Sequence, residues 1–274
     1  MPPDDTRAVI VAAAATLAAS SDTPWLDAEL LMAHALGVTR EAMLLGGARP
    51  VPDAFAALVE RRRAGEPIAY IIGTRAFWTI ELAVTPAVLI PRPDSETLIE
   101  AAVDHFRSTS GPRRILDLGT GSGALLLAAL AEWPGASGVG IDRSEAALAV
   151  ATDNAARLGL SDRATMRTGR WAGTGEAYDL LLCNPPYIEA DAPLPRDVIE
   201  HEPHGALFAG PDGLDDYRVL APLLERQIAV GGVACIEIGA TQAVAVTALL
   251  AACGLPAAVR RDLAGKDRCI TVSR

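Results

Sequence analysis

RILDLGTGSG, at residues 114–123, decides the fold of this chain. Its first half, Arg114 to Leu118, contains three aliphatic residues around Asp117 and predicts a short buried strand. Its second half, Gly119 to Gly123, follows at once and opens an apolar helical run from Ala124 to Glu132. Because glycine lets the backbone approach a ligand closely, this order favours a binding loop at the end of a strand. Gly-x-Gly-x-Gly alone is also typical of an ordinary tight turn.

A second strand and an acid extend this pattern. Residues Ser137 to Ile141 read as a strand, and Asp142 ends it, about twenty residues beyond Gly121. From such a position a carboxylate accepts hydrogen bonds from both hydroxyls of a ribose. Strand, glycines, helix, strand and acid in this register therefore predict a nucleoside site at the carboxyl edge of a parallel sheet.

A rigid polar turn follows a later apolar strand. Residues 180–183, Leu-Leu-Leu-Cys, lead directly into Asn184-Pro185-Pro186-Tyr187. Proline donates no N–H, so the carbonyls of Asn184 and Pro185 stay free to accept, and the Asn184 side chain adds a third acceptor. With the flat face of Tyr187, these acceptors suit a planar –NH2 group, as in a carboxamide, adenine or cytosine. The alternative is a loop that only caps a buried strand.

The alternating glycines, with Asp117 inside the preceding strand, resemble the class I methyltransferases, whose ligand is S-adenosyl-L-methionine. A dinucleotide fold would usually spread its glycines as G-x-G-x-x-G instead. In the methyltransferase family the first-strand loop passes beneath the methionine part of the ligand, and the acid after the second strand holds the ribose. The Asn-Pro-Pro-Tyr motif narrows the resemblance to enzymes that methylate planar –NH2 nitrogens.

Segments on either side of these motifs narrow the resemblance further, to the PrmC/HemK family of release factor glutamine methyltransferases. The upstream segments that carry the resemblance are Arg61–Gly73, Phe77-Trp78 and Leu89–Glu96; the downstream ones are Glu202-Pro203, Ala206-Leu207, Gly210–Asp215 and Asp262–Arg268. The resemblance therefore runs from about residue 60 to the C-terminus, with a less specific helical region before it.

Two positions depart from the family pattern. Ser95 stands where the family commonly has threonine, and it keeps the hydroxyl. Arg170 stands where the family often has an acid that contacts the adenine amino group. A guanidinium has no acceptor, so that contact must be lost or made by the backbone, although Trp171 is still able to stack on the ring.

The predicted fold is α/β: a Rossmann-like class I methyltransferase sheet of seven strands, with a small N-terminal helical domain and a β-hairpin connector. We place the helical, substrate-docking domain at residues 1–73, the connector at 74–91 and the methyltransferase domain at 92–274. Helices are expected at Thr6–Ala19, Pro24–Leu36 and Pro52–Ala64, with a break at Gly46-Gly47, and Asp94 is expected to cap a further helix. Strands are expected at 114–118, 137–142, 164–168, 178–183, 232–238, 257–262 and 268–273, the last of them antiparallel.

The resemblance also implies a function and a set of site residues. The chain would transfer a methyl group from S-adenosyl-L-methionine to the side-chain nitrogen (N5) of the glutamine in the Gly-Gly-Gln motif of class I peptide chain release factors. Cofactor contacts are expected from Gly119, Thr120, Gly121, Ser122, Gly123, Asp142, Trp171 and Asn184. Substrate contacts are expected from Asn184, Pro185, Pro186 and Tyr187, of which Asn184, Pro185 and Tyr187 would be catalytic.

Two other functions stay open on the sequence alone. The same –NH2 chemistry would serve another substrate, either a ribosomal-protein glutamine or an adenine in nucleic acid. A non-catalytic protein that binds S-adenosyl-L-methionine or a partner could also keep the fold. A net charge of −10 with a single lysine disfavours nucleic acid as a partner. Arg61–Arg63 is a local basic candidate, but arginines also favour the C-terminal end of a helix.

The hydropathy of the chain, its N-terminal layout and its cysteine spacing favour a cytoplasmic enzyme. The chain has no apolar run near the roughly 20 residues of a membrane span, and residues 1–24 lack a signal-peptide layout. The four cysteines have no metal or redox spacing, which predicts reduced core thiols. Pro203 interrupts His201-Glu202-Pro203-His204, so this segment is a poor metal site.

Overall fold

The computed structural model describes residues 6–46 and 49–274. Residues 1–5 of the predicted first domain, and Gly47 of the predicted helix break, lie outside the described residues. The chain divides into two compact units. The first covers the chain up to Thr74 together with Leu194–His201, and the second covers Arg75–Pro193 and Glu202–Arg274. The return of Leu194–His201 to the first unit was not predicted, and the limits of the three predicted domains stay predictions.

The first unit is helical. Its N-terminal part contains α1 (Thr6–Leu17), α2 (Pro24–Ala35), α3 (Arg40–Leu45), α4 (Ala54–Arg63) and α5 (Ile68–Ile72). The three predicted helices are present with slightly shorter limits, whereas α3 and α5 were not predicted. Leu17, Leu31, Met32 and Phe55 lie at the centre of the apolar core between these helices.

The arginine run Arg61–Arg63 forms the last turn of α4, where positive charge is favoured by the helix dipole. Arg62 is buried and its Nε donates to Asp27 Oδ2 at 2.7 Å. Arg61 pairs with Glu66 and Arg63 pairs with Glu60, both near the surface. Because each guanidinium already has a carboxylate partner, this run does not present three free charges to a nucleic acid.

The second unit contains a short hairpin and a large sheet. The hairpin joins β1 (Thr74–Phe77) and β2 (Ile80–Ala83) and is shorter than the predicted connector. The sheet contains β3 (Arg114–Leu118), β4 (Ser137–Asp142), β5 (Ala164–Thr168), β6 (Tyr178–Cys183), β7 (Ile228–Glu237), β8 (Ala257–Arg261) and β9 (Asp267–Ser273). The helices between them, including the one that belongs to the first unit, are α6 (Glu96–Phe106), α7 (Ala124–Glu132), α8 (Glu145–Arg157), α9 (Arg196–His201), α10 (Asp215–Gln227) and α11 (Ala243–Ala252).

The seven-stranded sheet confirms the predicted fold class. Its strand order is β5-β4-β3-β6-β7-β9-β8, with β9 antiparallel to both of its neighbours. Strand residues alternate between two apolar layers, as a pleated strand requires. In β3, Ile115 packs in one layer, whereas Leu116 and Leu118 pack in the other.

The strand order also places the site. From β3 the chain moves outward through β4 to β5, and it then returns to the opposite side of β3 to form β6 and β7. In an open parallel sheet a crevice forms at the carboxyl ends of the strands where the order reverses in this way. The glycine loop, Asp142 and Asn184 follow β3, β4 and β6, so all three lie at that crevice.

One local prediction was wrong. Asp94 does not cap α6, because it lies inside a 3-10 turn, Pro93–Ser95, that precedes the helix. Its carboxylate instead forms an ion pair with Arg268 at 3.2 Å. The proline at the start of the turn fixes the backbone there, so the helix begins one step later than the Asp-Ser-Glu pattern suggests. Across residues 6–46 and 49–274, no helix combines the length and apolar character needed to cross a membrane.

Candidate active site

A cavity of about 210 Å³ opens at the carboxyl ends of β3, β4 and β6. Of the residues expected at the site, those that line it are Gly119, Thr120, Gly121, Ser122, Asp142, Trp171, Asn184 and Pro186. Gly123, Pro185 and Tyr187 are not part of its lining. The structure therefore brings the predicted cofactor loop, acid and Asn-Pro-Pro-Tyr turn to one place.

The glycine loop depends on left-handed backbone. Gly119, Gly121 and Gly123 have φ values of +73°, +55° and +84°, which residues with a side chain rarely adopt. A Cβ on Gly123 would lie 2.9 Å from Leu127 Cδ1, so this glycine is needed where the loop enters α7. The N–H groups of Gly119 and Thr120 both donate to the Ile141 carbonyl, at 2.8 and 3.0 Å. The loop is therefore fixed to the end of β4.

Asp142 braces the loop from the same strand end. Its Oδ2 accepts from the Gly121 N–H at 3.0 Å, and its Oδ1 accepts from the Ser144 N–H at 2.9 Å. The side chain is half-buried and faces the cavity. Each carboxylate oxygen keeps a second lone pair. Asp142 can thus hold the loop and accept hydrogen bonds from two ligand hydroxyls at the same time.

Asn154 ties the loop to the hairpin. Its Nδ2 donates to the carbonyls of Ser122 at 2.9 Å and Ala83 at 3.0 Å, and its Oδ1 accepts from the Ala83 N–H at 2.7 Å. The residue is fully buried in α8. Both N–H donors of this amide and its oxygen are therefore engaged by backbone groups, which indicates a structural role.

Asp117 lies beneath the loop, on β3. Its Oδ2 accepts from Thr120 Oγ1 at 2.6 Å and from the Leu126 N–H at 3.3 Å. Its Oδ1 is buried without a hydrogen-bond partner among the described residues. Burial raises the pKa of this carboxyl from 3.8 to about 7, against the lowering effect of the Thr120 and Leu126 hydrogen bonds.

This raised pKa predicts a specific pH dependence of stability. The unfolded chain releases the Asp117 proton near pH 4 and the folded chain near pH 7, so the folded state binds more protons in between. Stability from this group is therefore lost as pH rises through that interval. Asp117→Asn cannot titrate, so the variant-minus-parent difference in unfolding free energy should grow by about 2–3 kcal/mol between about pH 5 and 8. Urea unfolding of both proteins across this range measures it, and a pH-independent difference would contradict the assignment.

Trp171 stands beside the loop at the edge of the cavity. A Cβ on Gly119 would lie 3.4 Å from Trp171 Cη2, in ordinary van der Waals contact, so the indole packs directly against this glycine. The indole Nε1 donates to Asp216 Oδ1 at 2.8 Å, and Gln227 Nε2 donates to the Trp171 carbonyl at 2.9 Å. The first bond holds the indole ring, and the second holds the backbone that carries it. Neighbouring Arg170 is exposed and also lines the cavity.

The Asn-Pro-Pro-Tyr turn is held at both ends. Asn184 is half-buried, and its Nδ2 donates to Ser95 Oγ at 3.3 Å, which leaves its amide oxygen for the cavity. Tyr187 lies behind the turn, where its hydroxyl donates to Glu237 Oε1 at 3.2 Å. Pro185 is buried between them. A direct contact between Tyr187 and a substrate amide stays a prediction.

Glu237 is the buried acid of this region, and the sequence did not single it out. Its side chain is 1% exposed, and burial raises its pKa to about 7, although the Ser95 hydroxyl and Arg268 act to lower it. Glu237 ends β7, and the pairing of Cys183 with Ile236 places it next to Asn184. In the sequence, the one indication of a role for Glu237 was that an acid stands near the end of a predicted buried strand. Asp216, which accepts from the Trp171 indole, was also not predicted as a site residue, because an acid in the first turn of a helix is common.

Comparisons with known proteins agree with this geometry. A model of the PrmC N-terminal domain matches residues 8–73, and a methyltransferase domain model matches residues 110–243. The release factor glutamine methyltransferase of Rhodospirillum rubrum is 44% identical over 264 residues, which cover 93% of this chain and 81% of that protein. The protein of the same name from Caulobacter vibrioides is 43% identical over 92% of this chain and 90% of its own length.

Solved structures share the fold at low sequence identity. The human METTL16 catalytic domain, solved with an RNA hairpin, has a TM-score of 0.54 at 16% identity and covers 81% of this chain and 82% of its own. A ribosomal protein L11 methylase from Lactobacillus delbrueckii has a TM-score of 0.50 at 22% identity, with coverage of 70% and 83%. These two establish the methyltransferase fold alone. With relatives above 40% identity over nearly its whole length, the chain belongs to the family of release factor glutamine methyltransferases.

Proposed function

We propose that the protein transfers a methyl group from S-adenosyl-L-methionine to the side-chain nitrogen of the glutamine in the Gly-Gly-Gln motif of class I peptide chain release factors. The observation that carries this proposal is the Asn184 amide, whose nitrogen is bound to Ser95 and whose oxygen is left for the cavity. An amide oxygen beside a proline carbonyl suits the –NH2 of a carboxamide. Family membership supplies the substrate class, since the relatives carry that activity in their name.

The cavity residues fit the cofactor. The left-handed glycines leave the loop surface without side chains, so a ligand can lie against the backbone. The free lone pairs of Asp142 suit the two ribose hydroxyls, and the fixed indole of Trp171 offers a flat face. When bound, S-adenosyl-L-methionine supplies an electrophilic methyl group on a sulfonium.

The chain contributes positioning and charge stabilisation. An amide nitrogen is a poor nucleophile because its lone pair is delocalised into the carbonyl. Asn184 Oδ1 and the Pro185 carbonyl would accept the two N–H bonds of the substrate amide and hold its nitrogen in line for attack. As the new N–C bond forms and the S–C bond to the methyl group breaks, the nitrogen gains positive charge and these same acceptors bind its hydrogens more strongly. One N–H proton would then pass to water, which leaves a neutral N-methyl amide. Orientation of this kind contributes up to about 7–11 kcal/mol in favourable systems.

Mass spectrometry of a purified release factor tests the proposal directly. The factor is incubated with the protein and S-adenosyl-L-methionine, and fragmentation locates any added methyl group. We expect one methyl on the Gly-Gly-Gln glutamine, and none on a factor in which that glutamine is replaced by glutamate.

An unmodified factor, together with measured cofactor binding, would move the assignment to another –NH2 substrate. A ribosomal-protein glutamine and a nucleic-acid adenine are the alternatives, and a gel shift at physiological salt tests the second. Cofactor binding without activity on any of these substrates would indicate a non-catalytic protein that binds S-adenosyl-L-methionine. The cytoplasmic location of the protein stays a prediction.

A further inference from the structure

An asparagine side chain can present either of two ends. Its oxygen accepts hydrogen bonds and its nitrogen donates them, while the two ends have nearly the same shape. Only the oxygen end of Asn184 can hold a substrate –NH2 group. A turn that fixes only the backbone leaves either end of the side-chain amide free to face the cavity. The orientation must therefore be selected by a contact with the end that points away from the cavity.

Ser95 provides that contact. Its hydroxyl lies 3.3 Å from Asn184 Nδ2, and the residue is 3% exposed within the 3-10 turn before α6. A hydroxyl both donates and accepts, so it is compatible with either end of an amide. It selects the nitrogen end of Asn184 only if its own proton points elsewhere.

Glu237 can receive that proton. Its Oε1 already accepts from the Tyr187 hydroxyl at 3.2 Å, while its Oε2 is buried and has no hydrogen-bond partner within the described part of the chain. Strand register places Glu237 next to Asn184, so this unpaired oxygen is the acceptor towards which the Ser95 hydroxyl can turn. Burial raises the pKa of this carboxyl, and the Ser95 hydroxyl acts to lower it. When this carboxyl is ionised it only accepts, so a Ser95 proton directed at it leaves a lone pair of Ser95 for Asn184.

Arg268 supports the charge of this carboxylate. Its guanidinium is largely buried, pairs with Asp94 at 3.2 Å and donates through Nε to Asp262 Oδ2 at 3.3 Å. Its positive charge acts to lower the pKa of Glu237, against the raising effect of burial. A buried carboxylate without a nearby cation would be costly. One acid on β7 thereby contacts the Asn-Pro-Pro-Tyr turn directly at Tyr187 and stands beside Asn184 in the strand register.

We propose that Ser95 and Glu237 are positioning residues that turn the Asn184 amide so that its oxygen faces the substrate nitrogen. The inference rests on the proposed function for its catalytic consequence, whereas the orientation itself is a property of the protein without substrate. The hydroxyl of Ser95, and not its volume, is what the mechanism requires.

Rate measurements with three variants test the consequence. Ser95→Ala is expected to lower kcat on a release factor by about tenfold or more, with the Kd for S-adenosyl-L-methionine changed less than about twofold. Ser95→Thr restores the hydroxyl and is expected to return kcat to within about threefold of the parent. Thr97→Val removes a second buried hydroxyl two residues along and is the matched control, with parent-like kcat. A Ser95→Ala variant as fast as the parent, or a Ser95→Thr variant as slow as Ser95→Ala, would overturn the proposal.

A spectroscopic measurement tests the orientation without any substrate. The sequence contains two asparagines, Asn154 and Asn184, so asparagine-selective 15N labelling gives two side-chain –NH2 signals in the NMR spectrum. We expect a nuclear Overhauser contact between the Asn184 –NH2 and the Ser95 β-protons. Ser95→Ala and Glu237→Gln should shift the Asn184 signal and leave the Asn154 signal in place, because backbone groups hold that amide.

The two measurements separate the two proposals. If the parent does not methylate a release factor but shows the Ser95 contact, the proposed substrate fails and the orientation stands. If the parent methylates the factor and the Asn184 –NH2 shows no contact with Ser95, the orientation fails and the substrate stands.

Discussion

Asn184→Ala should lower kcat on a release factor by about 10²- to 10³-fold, while the Kd for S-adenosyl-L-methionine changes less than about threefold. The substitution removes the amide oxygen that faces the cavity and leaves the turn without one of its two acceptors for the substrate –NH2. The neighbouring loop, Asp142 and Trp171 keep their own hydrogen bonds, none of which involves the Asn184 side chain. The loss should therefore fall on turnover, since the acceptor works most strongly when charge develops on the nitrogen.

Asn184→Gln is the companion variant. It keeps the amide but moves its oxygen by one methylene, and a displacement near 1 Å is expected to cost on the order of 10²-fold in kcat. Initial rates under saturating cofactor and calorimetry of cofactor binding separate the two effects. Parent-like turnover of Asn184→Ala would remove this residue from the catalytic role.

Asp142→Ala should weaken S-adenosyl-L-methionine binding by about 30- to 1000-fold, which corresponds to two charge-assisted hydrogen bonds of roughly 1–2 kcal/mol each. Both carboxylate oxygens already accept one backbone N–H, from Gly121 and Ser144. The substitution therefore removes the ribose acceptors and loosens the loop that lies under the ligand. Both effects raise the Kd for S-adenosyl-L-methionine.

A modified ligand separates these two effects. S-adenosylhomocysteine and its 2′-deoxy analogue differ only in one ribose hydroxyl. The parent should bind the complete ligand more tightly, and Asp142→Ala should bind the two nearly equally, because the acceptor for that hydroxyl is gone. Equal preference in parent and variant would show that Asp142 acts only through the loop, and an unchanged Kd would remove it from the cofactor site altogether.

The sequence predicted the sheet well because its strands carry strong local signals. Each core strand is a short apolar run that a glycine, an acid or Asn-Pro stops, and all seven predicted strands are present. The family was also correctly indicated, since its motifs occupy fixed places at the ends of those strands. Strand β7 begins at Ile228 rather than at the predicted residue 232.

Contacts between distant residues could not be predicted in the same way. Ser95 meets Asn184 from 89 positions away, and Tyr187 meets Glu237 from 50. Ser95 and Glu237 carry no such signal in their own segments, so only the folded sheet reveals that they lie against the Asn-Pro-Pro-Tyr turn. Helices α3 and α5 were missed because six and five residues are too few to show a helical period.

The return of Leu194–His201 to the helical unit has a consequence for how this architecture can be inherited or engineered. The chain passes between the two units three times, after Thr74, after Pro193 and after His201. A gene fusion or truncation with a single breakpoint near residue 74 would therefore separate α9 from the helices with which it belongs. Exchange of the helical unit between relatives requires two inserted segments, the second of which begins soon after the Asn-Pro-Pro-Tyr turn. The two parts of this protein are thus expected to evolve as one genetic module.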